Sequence, residues 1–133
     1  MLDKATTDLV NTWYEGIPLA KFMALKITDH QEHSLRTSAS MKTCINVHQS
    51  MFAGAIYSQA VLTGWGLLHL GLINLGLKGA IVLASGEMKY RRPIERDPCG
   101  QVDMVLSLAT FTRLVEGKNC SIELDVCMGE RDG

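Results

Sequence analysis

Apolar and polar positions change period several times along this chain. Leu2, Ala5, Leu9, Val10, Trp13 and Tyr14 recur at helical spacing over residues 3–15, and Gly16 with Pro18 closes the stretch. A short amphipathic helix is predicted there. Two strands follow: Met23, Leu25 and Ile27 alternate with Ala24, Lys26 and Thr28, and Leu35, Thr37, Ala39 and Met41 alternate with Arg36, Ser38 and Ser40. His30-Gln31-Glu32-His33 makes the hairpin turn between them. Three more strands are predicted later. The first covers residues 80–90 and ends at Arg91-Arg92-Pro93; the second covers 100–112. After a turn at Glu116-Gly117-Lys118-Asn119, the third sets Ile122, Leu124, Val126 and Met128 against Ser121, Glu123 and Asp125. Residues 129–133 read as a turn, from which a further strand is expected to follow.

Between the hairpin and the later strands the pattern is of another kind. From Thr43 to Leu77 the chain runs 35 residues without a Lys, Arg, Asp or Glu. It opens on small polar groups, Cys44 to Ser50, then turns apolar and glycine-punctuated. Charge is costly to bury, so the stretch predicts a long helix enclosed on nearly all sides. Its length also suits a membrane span. Tyr57, Ser58, Gln59, Thr63, His69, Asn74 and several glycines argue against one, as does the lack of an aromatic belt or a Lys/Arg flank. The expected fold class is α+β: an antiparallel sheet wrapped around one long central helix, with a short N-terminal helix.

A length of 133 residues suits a single domain spanning 1–133. Net charge is −1 with both signs interspersed, so nucleic acid is not an expected partner. Cys44, Cys99, Cys120 and Cys127 lack Cys-x-x-Cys spacing and no signal peptide is visible, which points to free thiols in the cytoplasm. His30 and His33 share a polar turn without a supporting ligand cluster, and no metal is expected.

Chemistry is expected at the mouth of the central helix. Phe52, Ala53 and Gly54 stand at its start, where backbone N–H groups can meet a ligand oxygen. Gly54 serves either close ligand approach or close packing. Asn46 either donates its amide to that oxygen or caps the loop. His48 is a candidate base if it reaches the pocket, and an ordinary loop histidine otherwise. Cys44 reads as a small buried hydrophobe and His69 as a core histidine.

Asn46, Met51-Phe52-Ala53-Gly54, Gly64-Trp65-Gly66-Leu67-Leu68-His69-Leu70 and Tyr90-Arg91-Arg92-Pro93 together resemble the YiiD C-terminal family of thioesterase-like hotdog proteins. Ile17-Pro18-Leu19-Ala20 and Met23-Ala24-Leu25 match its opening, so the likeness covers essentially the whole chain. The resemblance implies a hotdog fold, a homodimer or dimer of dimers, and an acyl group on coenzyme A or acyl carrier protein as substrate. The thioester carbonyl would lie over the start of the central helix. No cofactor is implied beyond the coenzyme A or phosphopantetheine that the substrate itself carries.

Phe52, Ala53, Gly54 and Asn46 would then stabilise the carbonyl's developing charge. Ser58, Gln59 and Thr63 would line the substrate's path. Arg91 and Arg92 would suit a phosphate. One departure stands out. Phenylacetate-type relatives carry an Asp or Glu on the helix that activates water; here that position falls on Val61, and the helix has no acid at all. Hydrolysis would have to draw on His48 or Glu87, and Glu87 reads equally well as an outward carboxylate paired with Lys89 or an arginine. Decarboxylation of a malonyl thioester, which some family members resemble, needs an oxyanion site but no base. A non-catalytic acyl-thioester binding module is the remaining alternative.

Overall fold

The computed structural model describes residues 2–130. Helix α1 spans Lys4–Gly16, started by an Asp3/Thr6 capping box in which each side chain bonds the other residue's backbone N–H. Pro18 does more than close it. With a fixed φ and no N–H to lose, it sits at the first turn of a second short helix, α2, Pro18–Phe22. Ala24 then takes φ +52° to reverse the chain into β1, Lys26–Gln31, later than the predicted strand at Met23. A tight turn at Glu32 and His33 leads into β2, Ser34–Ser38, with Gln31 opposite Ser34. A single turn, α3, covers Met41–Cys44.

The charge-free stretch forms α4, Ala53–Asn74, with no charged residue on any face. It is long and apolar enough to cross a membrane, yet 56% of its most apolar stretch is buried inside the fold. Neighbours close on it from several sides. A Cβ at Gly66 would lie 2.8 Å from Trp13 and 2.9 Å from Leu35; one at Gly71 would lie 2.5 Å from Leu106. Glycine there lets α1 and the sheet approach the helix backbone, which accounts for the glycine punctuation of the sequence.

The antiparallel sheet completes with β3, Pro98–Asp103, and β4, Val126–Glu130, in the order β1-β2-β3-β4. Leu35 on β2 and Val102 on β3 face α4 among the most buried residues. The later strands depart from expectation. Residues 80–90 join no ladder among the described residues, although β1 and β4 each keep one edge unpaired. The predicted strand over 100–112 stops at Asp103. Ser107 and Thr110 form a capping box that turns the chain into a 3₁₀ turn, Leu108–Phe111, and a short helix α5, Thr112–Val115. That turn buries Phe111 and keeps Leu106 on the core, contacts that strand alternation would have split. The last predicted strand forms only from Val126. Gly129 and Glu130, read as a turn, instead pair with Cys99 and Pro98; the rest of that turn signal lies outside the described residues.

Candidate active site

The segment before α4 is folded tightly by its own polar groups. The Asn46 N–H donates to Ser50 O at 2.7 Å, and the Phe52 N–H to Cys44 O at 2.7 Å. Asn46 Oδ1 accepts from the backbone N–H groups of His48 at 2.8 Å and Ser50 at 3.2 Å. These two donors fix which end of the carboxamide is oxygen. Nδ2 donates to Ser50 Oγ at 3.0 Å, a hydroxyl that also lies 3.3 Å from Oδ1, and its second hydrogen has no partner among the described residues. Gln49 takes φ +65° to close the turn. Asn46 is thus a turn residue and a potential donor at once, because its two ends perform different tasks.

At α4 itself, Phe52 is the N-cap without a side-chain cap. Its N–H is committed to Cys44, so of the three residues expected to donate there, only Ala53 and Gly54 keep N–H groups with no acceptor among the described residues. The Phe52 ring folds back over Gly54, where a Cβ would fall 2.5 Å from Cε2. A side chain at 54 would have to displace this exposed ring, and the N–H of Gly54 has no acceptor among the described residues.

An open cleft of about 270 Å³ lies against this helix start. Asn46, Ser50, Met51, Ala53 and Ile56 form one wall; Tyr90, Arg91, Arg92 and Pro93 form the other. The second wall is fastened by the Met51 N–H donating to Ile94 O at 2.7 Å and by Tyr90 Oη donating to Ala53 O at 3.1 Å. Neither arginine has an ion-pair partner among the described residues, so two guanidinium charges stand free at the cleft.

The cleft thus brings together Asn46, Ala53, Arg91 and Arg92 from the residues singled out in the sequence, with Gly54 beside them. It does not bring the others. Gln59 and Thr63 are fully buried toward the sheet, where Gln59 Nε2 donates to Thr37 Oγ1 at 3.2 Å and Thr63 Oγ1 to Gln59 O at 2.7 Å. Ser58 donates back to Gly54 O at 2.8 Å within its own helix. His48 and Glu87 are exposed and outside the lining. Cys44 is buried, and burial pushes its thiol up, against a weaker opposing contact from the Thr43 hydroxyl, so it is an inert core group. His69 is only half-buried and stacks on Trp65, centroids 4.9 Å apart. Ser50 and Tyr90 are lining residues that the sequence reading passed over. Ser50 belonged to the polar run before the helix, and Tyr90 to the Tyr-Arg-Arg-Pro motif.

The description putative thioesterase, YiiD C-terminal, belongs to a family whose model matches residues 6–132. The chain belongs to this family. Among solved structures, a putative thioesterase from Shewanella oneidensis is 31% identical, with TM-score 0.91, covering 98% of this chain and 90% of that one. A protein of unknown function from Chlorobaculum tepidum is 25% identical, with TM-score 0.88, covering 95% of this chain and 79% of that one. A probable thioesterase from Pseudomonas aeruginosa shares 18% identity over 96% of this chain and 86% of its own, with TM-score 0.77, and shows the common fold. The fold is the hotdog, as the family's signature in the sequence implied.

Proposed function

We propose that the protein is a thioesterase-class enzyme that holds the carbonyl of an acyl-CoA or acyl-carrier-protein thioester at the start of α4. The observation that carries this is a cleft lined by Asn46 and Ala53, with Gly54 next in the chain, where the Ala53 and Gly54 N–H groups and the second Nδ2 hydrogen of Asn46 have no acceptor among the described residues. Such donors stabilise the oxyanion that forms when a thioester carbonyl is attacked, and each is typically worth about 100- to 1,000-fold in rate. Arg91 and Arg92 stand where they could take a phosphate of the coenzyme A or phosphopantetheine arm. In hydrolysis His48 or Glu87 would have to swing in as the base.

One observation favours a second reading. The cleft lining holds two arginines and neither a carboxylate nor an imidazole. Decarboxylation of a malonyl thioester uses such a site as it stands. The bond to the carboxylate carbon breaks, its electron pair passes into the thioester carbonyl, carbon dioxide leaves, and the enolate takes a proton from solvent to give an acetyl thioester. The same donors stabilise the enolate oxygen.

A homodimer or dimer of dimers of single hotdog domains in the cytoplasm is the proposed working form. The exposed apolar pair Val82-Leu83, on a segment outside the sheet's pairing, supports a partner there, since exposed apolar surface invites contact. Incubation with an acyl-CoA panel, malonyl-CoA and malonyl-acyl carrier protein, read by mass spectrometry, tests the activity. Free acid with free thiol is the hydrolase result, and acetyl thioester the decarboxylase result. Binding without either product would leave a binding module and overturn both.

A further inference from the structure

We infer that Tyr90 is a positioning residue that strengthens one of the oxyanion donors through the first peptide of α4; this rests on the function proposed above. Ala53 C=O and Gly54 N–H are the two ends of one planar peptide unit and point in opposite directions. The Gly54 N–H has no acceptor among the described residues and follows Ala53, which lines the cleft, while the Ala53 oxygen accepts the Tyr90 hydroxyl at 3.1 Å. In an α-helix that carbonyl already accepts the N–H of Tyr57, so the Tyr90 bond is not needed to satisfy it. A second donor on the carbonyl draws electron density across the peptide and leaves the N–H at the other end more positive. Hydrogen bonds in such chains strengthen one another by roughly 10–30%.

Position supports this role. Tyr90 precedes the two arginines on a segment that no strand pairing holds. The segment is fastened along α4 by the Trp65 Nε1–H donating to Ile81 O at 3.1 Å and by the close seat of the Tyr57 hydroxyl over Gly86. The Tyr90 bond is the last fastening on the cleft side. The Met51–Ile94 backbone bond anchors Arg91 and Arg92 from beyond, so they stay in place when the hydroxyl is removed.

The test is Tyr90→Phe, which keeps the ring and deletes the bond. About 10–30% of the free energy of a donor worth about 100- to 1,000-fold is roughly 1.6- to eightfold in kcat, with KM unchanged. In 15N-labelled protein the Gly54 amide proton should move upfield, toward a weaker hydrogen-bond donor. Tyr14→Phe, which removes a hydroxyl bonded to Leu25 O elsewhere, should leave that resonance in place. An unmoved Gly54 amide would overturn the inference, and so would an unchanged kcat or a loss carried wholly by KM. If the wild-type protein turns over no thioester, the proposed function fails, while the Gly54 resonance still decides the relay.

Discussion

Asn46 and Ser50 gather at the first turn of α4, while Thr37, Gln59 and Thr63 gather about 9 Å further along it, six residues past Ala53 at 1.5 Å each. Both are clusters of uncharged amides and hydroxyls on a helix without charge. The deeper one is closed. Gln59 Nε2 donates to Thr37, Thr63 donates to the Gln59 carbonyl, and the two hydroxyls are 2.7 Å apart, so Thr37 must donate to Thr63. The bonds form a ring that ends on the residue where it began, and only Gln59 Oε1 is left without a partner. Gly100 backs this ring, since a Cβ there would lie 2.8 Å from Thr37 Oγ1. The outer cluster is open. The Asn46 oxygen is saturated by the loop, and its amide keeps a spare hydrogen on a residue that lines the cleft. A buried ring with no spare donor can hold the helix on the sheet, and a half-closed cluster at a cleft can act on a ligand.

The largest expected effect breaks the comparison at its open end. Asn46→Asp keeps an oxygen acceptor for the His48 and Ser50 N–H groups but removes the donor and puts charge beside the oxyanion. Turnover of whichever thioester the protein accepts should fall at least about 100-fold with the melting temperature little changed. A loss of folding in step with activity would instead make Asn46 a turn residue alone.

A smaller effect sharpens the closed end. Gln59→Met removes the orphaned acceptor, which carries a penalty of about 1–3 kcal/mol, together with a modest bond to Thr37 worth about 1 kcal/mol and a long, weak one to Pro98 O at 3.5 Å. Thr37 and Thr63 keep each other. Stability in urea should stay level or rise by up to about 2 kcal/mol, and kcat should not move. Destabilisation beyond about 2 kcal/mol would mean that the Gln59 oxygen is satisfied in solution after all.

The contrast also shows how far the sequence could be read. The absence of charge from Thr43 to Leu77, together with Gln59, Thr63, Asn74 and the glycines that argue against a membrane span, was enough to place α4 in the core. Asn46, Ala53, Arg91 and Arg92 were legible because each lies next to an element boundary that pattern reveals. Gln59 and Thr63 were grouped with the site because periodicity cannot orient a helix that is apolar all round. Which face meets the sheet is decided by Gly66 against Trp13 and Leu35, a long-range fit. Tyr90 escaped for a related reason. Its alternation read as a strand, whereas its segment is fastened by side chains to the helix instead of by a ladder. The Ser107/Thr110 box is a local signal that strand alternation masked.

The smallest effect concerns the stripe of α4 that neither cluster occupies. His69 stacks on Trp65, and partial burial holds its imidazole below its ordinary pKa. The folded protein thus prefers the neutral ring. Above about pH 6.5 both folded and unfolded chains carry it neutral, and it adds no pH dependence. As pH falls below that value the unfolded chain takes up the proton first, so stability is lost progressively until the folded pKa is passed, and is level below it. His69→Phe keeps a ring against Trp65 and removes the titration. Between pH 7.5 and 5.5 the wild-type melting temperature should fall slightly more than the variant's. Parallel curves would show that water reaches the imidazole freely and that the stack, unlike the Thr37–Gln59–Thr63 ring, is no part of the sealed core.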